Sequence, residues 1–209
     1  MIVRRIVLED SEQSGLPEGY TAVDYLQSSG TQWIEMGVAP NQNTKAVLKI
    51  KINKFEGAGA TLIGSRTNTN SNDQFTTYID SAYDTTRFLF RMNGQPKATS
   101  WTGLTMNKIY IVTLSGTEMK AELEDGTAVF STTFSVNDFT STMTMTLFRA
   151  KNVSGSYFQG RIYSCKHYNG NELIQDFVPC LDTNGVPCMF DLVSRKSFYN
   201  KGSGSFTWG

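Results

Sequence analysis

The chain has few residues of the kinds that bind metals or build disulfide scaffolds. Its 209 residues include one histidine, His167, and three cysteines, Cys165, Cys180 and Cys188. This odd number of cysteines is too small for a disulfide framework, and no Cys-x-x-Cys spacing occurs. A zinc site would need ligands that the chain barely has, and no phosphate-binding glycine loop is present. The sequence therefore predicts no metal and no cofactor.

The chain also lacks a charge bias and any long apolar run. Lysine plus arginine and aspartate plus glutamate number 19 each, so no basic field exists to hold a nucleic-acid backbone. The longest clearly apolar run, residues 109–114, is far shorter than the roughly 20 residues of a membrane span. The first ten residues lack the apolar stretch of a signal peptide. We therefore expect neither nucleic acid nor membrane as a partner, and assembly in the cytoplasm, with an extracellular location as the alternative.

What the chain does have is a repeated pattern of short strands. Hydrophobic residues make up 39% of it and only 18% are charged, which is enough apolar material for one large core. A period of two, typical of strands, occurs in Thr44–Ile52, in residues 109–114, 119–124 and 143–148, and in residues 160–168, where Ile162 and Ser164 alternate with Tyr163 and Cys165. Turn pairs such as Asp125-Gly126 separate these runs. The pattern predicts an all-β sandwich or barrel with no long helix.

The first 15 residues differ from the rest. Five apolar residues lie within the first eight, and a polar stretch, residues 9–15, follows them. We interpret residues 1–15 as an arm plus linker and residues 16–209 as the domain. The arm either adds a strand to its own sandwich or, as we prefer, docks on a sheet edge of a neighbouring subunit.

Two stretches resemble a known family. Residues 16–37 read LPEGYTAVDYLQSSGTQWIEMG, and residues 158–180 read FQGRIYSCKHYNGNELIQDFVPC. They resemble the opening and closing regions of concanavalin A-like domains found in bacteriophage and prophage structural proteins, and the second also resembles the final strands of laminin-G-like domains. Residues 182–209 continue the likeness. The resemblance implies an antiparallel two-sheet jelly-roll sandwich and a virion setting. It implies nothing specific about a ligand.

The catalytic patterns of this fold are missing. Glycan-cleaving enzymes with it carry carboxylates at Glu-x-Asp-x-x-Glu spacing on one strand. The nearest candidates, Glu122 and Glu124, run straight into a turn and lack the third acidic residue. Cys165 and His167 share a face of one predicted strand, but structural packing of the cysteine is the favoured interpretation. We therefore predict a protein that is not an enzyme.

Binding of a glycan is the more open possibility. The candidate ligand-binding residues are Tyr78, Tyr83 and Trp101, because these aromatic residues have polar or glycine-rich neighbours. Trp33 is expected in the core. A calcium ion could use Asp73 or Asp80, but neither lies in a recognisable ligand array, so no metal site is predicted.

Cys180 and Cys188 flank a predicted hairpin centred on Asn184-Gly185. A two-residue loop would pair Cys180 with Met189, whereas a three-residue loop with Gly185 in the left-handed conformation would pair Cys180 with Cys188. Only the second register allows an unstrained disulfide. Because a virion assembles in a reducing cytoplasm, we expect free thiols.

These inferences predict a non-enzymatic phage virion protein, on the capsid or tail, that holds other virion proteins or copies of itself through the arm and has a role in binding host glycans. The alternatives are a secreted bacterial carbohydrate-binding module and, less favoured, a glycoside hydrolase or lyase.

Overall fold

The chain folds into two antiparallel β-sheets that enclose one main core. The computed structural model describes residues 15–54, 58–66, 74–80, 87–92, 101–102, 104–133, 135–150 and 157–209. Within these residues every regular element is a strand. The predicted all-β, two-sheet jelly-roll sandwich is confirmed. The arm, residues 1–14, and the predicted loop at residues 68–73 lie outside the described residues.

The larger sheet has eleven described strands in the order β12-β11-β10-β4-β14-β15-β16-β17, with β2 beside β14, β1 beside β15 and β18 beside β2. Its strands are β1 (Thr21–Ala22), β2 (Leu26–Ser28), β4 (Thr44–Ile52), β10 (Ile109–Ser115), β11 (Glu118–Leu123), β12 (Ala128–Thr133), β14 (Gly160–Asn169), β15 (Glu172–Leu181), β16 (Pro187–Asp191), β17 (Lys196–Tyr199) and β18 (Thr207–Trp208).

The smaller sheet has seven described strands in the order β3-β13-β6-β7-β8-β9, with β5 beside β7. Its strands are β3 (Ile34–Glu35), β5 (Ala58–Ala60), β6 (Ile63–Ser65), β7 (Phe75–Asp80), β8 (Arg87–Met92), β9 (Trp101–Thr102) and β13 (Thr146–Leu147).

The alternation in β4 shows why these residues form a sandwich. Leu48, Ile50 and Ile52 are fully buried, whereas Lys49 and Lys51 lie on the other face. Each buried aliphatic side chain of this size contributes about 1.5–3 kcal/mol through its removal from water. The bounds predicted for this strand, Thr44–Ile52, are the observed ones.

A β-bulge in β14 corrects the alternation predicted for residues 160–168. The register against β4 shifts between Ile162 and Ser164, so Tyr163 is an extra residue in the ladder. As a result, Ile162 and Cys165 are both buried although they are an odd number of residues apart. The expected strict alternation through this strand is therefore wrong, because the bulge exchanges the two faces.

The hairpin of β15 and β16 is covered on both faces. Phe177 and Met189 belong to the main core, whereas Cys180, Cys188 and their neighbours form a second small cluster on the opposite face. Leu16 and Tyr20 pack against that second cluster, at the predicted start of the domain.

Trp33, expected in the core, packs against the main core and is half-buried. No helix in the described part of the chain has the length and apolarity needed to cross a membrane.

Candidate functional site

Of the three predicted ligand-binding residues, the structure places Tyr78 and Trp101 in different rows of the smaller sheet. Tyr78 lies in β7 and pairs with Leu89, whereas Trp101 lies in β9 and pairs with Phe88. The side chains of Tyr78 and Trp101, and the whole of Tyr83, lie outside the described residues. The glycan-binding role of these three residues stays a prediction.

The acidic residues at the end of β11 are engaged by lysines. Lys120 Nζ lies 2.6 Å from Glu122 Oε1, and Lys49 Nζ lies 2.5 Å from Glu124 Oε1. Half of the Glu124 side chain is exposed, so these carboxylates lie at a solvated strand end. No cluster of three or more potential metal ligands occurs within the described ranges.

Cys165 and His167 are both buried on one face of β14, as predicted, but they have no acidic partner of the catalytic kind. His167 Nδ1 lies 3.2 Å from Gln175 Oε1, and Gln175 Nε2 donates to the Met36 carbonyl at 2.8 Å. The amide therefore offers its oxygen to the ring, so Nδ1 carries the proton of the neutral imidazole. Burial raises the pKa of the Cys165 thiol strongly and lowers the pKa of His167. This pair is a packed structural unit and not an activated nucleophile.

A polar cleft of about 330 Å³ opens at one end of the larger sheet. We call it the strand-end cleft. Three segments meet there, namely the loop that precedes β4, the turn between β10 and β11, and the turn between β14 and β15. The cleft is lined by Gln42, Asn43, Lys45, Ser115, Gly116, Thr117, Glu118, Gly170 and Asn171. Amide, hydroxyl, ammonium and carboxylate groups therefore converge on one concave surface.

Local hydrogen bonds fix the three walls of the strand-end cleft. The Ser115 hydroxyl accepts from the backbone N–H of Glu118 at 3.0 Å and closes the β10–β11 turn. Asn41 Oδ1 accepts from the Asn43 N–H at 2.8 Å in the loop before β4. The Gly170 N–H donates to the Asn43 carbonyl at 2.8 Å and ties this loop to the β14–β15 turn. The walls are therefore held in place before any ligand arrives.

Gly116 is required at its position in the cleft wall. A Cβ atom there would lie 2.6 Å from the Gln42 carbonyl oxygen and 2.7 Å from Val136 Cγ1. Both distances are far below van der Waals contact, so only glycine lets the turn approach the loop before β4. The sequence marks residues 115–116 and 169–171 as turns, but no local signal shows that the two turns meet.

An aromatic ring stands beside the cleft. Tyr168 pairs with Lys45 across β14 and β4, and Lys45 Nζ lies 5.2 Å from the centre of the tyrosine ring. Lys45 is also a lining residue, and Glu118 faces the same cleft. The site thus carries one cation, one anion and several neutral hydrogen-bonding groups. Sequence reasoning missed all of these residues.

A second aromatic group on the larger sheet already has protein partners. The rings of Tyr25 and Tyr163 lie 5.5 Å apart in an edge-to-face arrangement. The Arg161 guanidinium lies 3.9 Å above Tyr25 and donates to Gln27 Oε1 at 2.8 Å. We call these residues the outer aromatic cluster. Its rings and its cation are engaged with one another, which makes it a poorer candidate for a ligand.

The fold is shared with solved proteins of very different sequence. No family model and no curated protein sequence matches the chain. A Bacteroides ovatus protein to which carbohydrate binding has been ascribed matches with a TM-score of 0.59 and 13% identity, over 90% of this chain and 60% of the other. The chain therefore spans less than two thirds of that protein's length.

Two further matches have lower scores. The native heptameric SAP-like pentraxin of Limulus polyphemus gives a TM-score of 0.48 at 12% identity, over 91% of this chain and 94% of the other. Carbohydrate-binding module CBM66 of Bacillus subtilis gives 0.33 at 16% identity, over 72% and 92%. The similarity to the Bacteroides ovatus structure, at 13% identity, establishes a common fold and nothing finer.

Proposed function

We propose that the protein is a non-enzymatic carbohydrate-binding module that holds a saccharide in the strand-end cleft. The observation that carries this proposal is the composition of the cleft. Its volume of about 330 Å³ falls in the range of small-molecule sites, about 300–1,000 Å³, and most of its lining is polar.

The lining matches the chemistry of a sugar. Each hydroxyl of a pyranose donates one hydrogen bond and accepts others, so a mixed set of donors and acceptors suits it. Lys45 supplies donors, Glu118 supplies acceptors, and Asn43 and Asn171 supply both. The single cation and single anion leave no charge bias, which favours a neutral saccharide. A lipid or other apolar ligand would meet mainly polar groups in this cleft.

The fold supports the same assignment. Carbohydrate binding is ascribed to the Bacteroides ovatus protein that shares this sandwich. The virion setting rests on the sequence resemblance of residues 16–37 and 158–180 alone. We therefore place carbohydrate binding first and keep attachment to a phage particle as a second, separate proposal about where the module works.

The test begins with a glycan array probed with the full chain, followed by calorimetric titration of the best neutral saccharide. Asn171→Ala and Glu118→Gln should each weaken binding about tenfold, which corresponds to about 1.4 kcal/mol for a lost hydrogen bond in the site. Asn184→Ala is the matched control, because Asn184 is exposed in the hairpin turn at the other end of β15. Equal losses in all three variants, or no binding to any glycan, would contradict the proposal.

A substrate panel tests the non-enzymatic assignment. Glu122 and Glu124 are ion-paired with lysines and do not line the strand-end cleft. We expect oligosaccharides and polysaccharides to stay intact on prolonged incubation. Product release that disappears in Glu122→Gln or Glu124→Gln would overturn the assignment.

A further inference from the structure

Near the smaller sheet, an arginine that has no counter-ion among the described residues lies close to two aromatic rings. The guanidinium carbon of Arg149 is 5.1 Å from the centre of the Trp33 ring and 5.2 Å from that of Tyr157. Arg149 follows β13 and forms a bridge with Tyr157, while Trp33 directly precedes β3, the strand that pairs with β13. The guanidinium therefore lies within cation–π distance of both rings. We call this group the arginine sandwich.

Among the described residues, the guanidinium of Arg149 contacts the two rings but no hydrogen-bond acceptor. Within the described ranges it makes no ion pair and no hydrogen bond, and its Nε atom is buried without an acceptor. Leaving a buried donor unpaired is unfavourable, and buried polar groups in native proteins nearly always have a partner. An acceptor supplied by a ligand would satisfy this donor. The sandwich is incomplete as it stands.

The arginine sandwich is built rigidly. The Trp33 N–H donates to Asn200 Oδ1 at 3.1 Å, and the Lys201 N–H donates to the Trp33 carbonyl at 2.8 Å. At Gly202 a Cβ would overlap the Thr31 carbonyl oxygen, so glycine lets this tail segment pack directly against the segment that carries Trp33. A cation packed against a ring that is fixed in this way is already partly ordered for binding.

We propose that the arginine sandwich binds the carboxylate of an acidic saccharide. The planar guanidinium matches a carboxylate with two parallel hydrogen bonds, and it offers several donors with no competing acceptor. Trp33 and Tyr157 are both half-buried, so each keeps ring surface that can pack against the C–H face of a sugar. The ligand class is therefore a uronic acid or a related sugar acid.

This site is separate from the strand-end cleft. Tyr157 lies just before β14 begins, whereas the cleft turn follows the end of that strand. Ten residues of extended strand separate the two ends by roughly 33 Å. A module with both sites would bind an acidic sugar at the arginine sandwich and a neutral sugar of the same polysaccharide in the strand-end cleft. The choice of a sugar as ligand rests on the proposed function.

The test is calorimetric titration with three probes: trigalacturonate, its methyl ester, and a sulfated neutral trisaccharide. Trigalacturonate should bind the full chain with an affinity that falls as salt rises. Arg149→Met, which keeps the stem but removes the charge, should weaken this binding about tenfold or more. Arg149→Lys should also weaken it several-fold, because an ammonium lacks the paired donors. The methyl ester lacks the charged carboxylates, so it should bind the full chain and Arg149→Met with equal affinity.

Arg161→Met is the matched control, since Arg161 is also stacked on a ring but is already hydrogen-bonded to Gln27. It should bind trigalacturonate like the unmodified chain. Unchanged trigalacturonate binding in Arg149→Met and Arg149→Lys would overturn the proposal, and a preference for the sulfated probe would overturn the choice of carboxylate. If a neutral saccharide binds in a way that depends on Asn171, but no acidic saccharide binds at Arg149, this inference is rejected and the proposed function stands. If an acidic saccharide binds in a way that depends on Arg149, but Asn171→Ala affects no saccharide, the strand-end cleft is rejected as the site and this inference stands.

Discussion

Cys180 and Cys188 lie directly opposite each other on β15 and β16, with their sulfur atoms 3.5 Å apart. The turn between them is the three-residue loop Thr183-Asn184-Gly185, in which Gly185 has a φ of 74°. Asp182 Oδ1 fixes this turn by accepting from the N–H groups of Asn184 and Val186 at 2.8 and 2.9 Å. Of the two registers that the sequence allows, the structure has the one that pairs the cysteines.

This register makes the two thiols an oxidisable pair. The hydrogen bond to Cys188 and burial raise the pKa of the Cys180 thiol, whereas the hydrogen bond with Cys180 lowers the pKa of Cys188. Cys188 is therefore the thiol of the pair that ionises first. We expect three free thiols in denatured protein that was purified with reductant, and one after oxidation with glutathione disulfide. The disulfide should raise the free energy of unfolding by about 2–3 kcal/mol, because it closes a short loop in the unfolded chain. A count of three after prolonged oxidation, or a bridge to Cys165, would contradict this pairing.

His167 predicts a loss of stability in mild acid. It is the chain's only histidine, and burial lowers its pKa below the usual 6.5. The folded state therefore holds it neutral, whereas the unfolded chain binds a proton below about pH 6.5, and stability rises with pH in this window. The free energy of unfolding, measured by denaturant titration, should fall between about pH 7.5 and pH 5.

The control for this prediction is His167→Gln, which keeps a neutral polar group beside Gln175. Its stability should change much less over the same range. Asp125 and Asp182 have lowered pKa values because of hydrogen bonds to Thr127 and Val186, so their contributions are lost only at more acidic pH. Identical pH profiles for the unmodified chain and the variant would show that His167 is not held neutral by the fold.

Gly116 predicts a packing defect in the wall of the strand-end cleft. The Cβ of Gly116→Ala would meet a backbone oxygen at 2.6 Å, and the backbone has to move to relieve the contact. We expect a loss of about 1–3 kcal/mol in the free energy of unfolding. Thr117→Ala, an exposed neighbour in the same turn, should change it by less than about 0.5 kcal/mol. Equal stability of the two variants would mean that the turn does not approach the Gln42 loop as described.

Strands and turns that depend on residues close together in the sequence could be predicted from it. The lysines that alternate with aliphatic residues define β4, and Gly185 defines the hairpin that pairs Cys180 with Cys188. In β10 the alternation alone did not choose a face, because Ile111 and Val112 are both apolar. The structure buries Tyr110 and Val112, and the Tyr110 hydroxyl accepts from the Thr105 N–H at 3.0 Å.

The candidate sites could not be predicted because they depend on tertiary contacts. Asn43, Glu118 and Asn171 come from three separate segments, and each alone looks like an ordinary surface residue. Trp33 and Arg149 are likewise more than a hundred residues apart in the chain. The bulge at Tyr163 has no marker such as glycine, so the exchange of faces in β14 could not be anticipated either.

The most direct test of the proposed function is an NMR titration of the isotopically labelled full chain with the best neutral saccharide from the array. If the strand-end cleft holds the sugar, the largest shifts should occur at the backbone amides of Gly116, Thr117, Gly170 and Asn171. The backbone amide resonances of Tyr25 and Arg161, in the outer aromatic cluster, should not shift. If the largest chemical-shift changes occur in that cluster and the four cleft amide resonances do not shift, the account is contradicted.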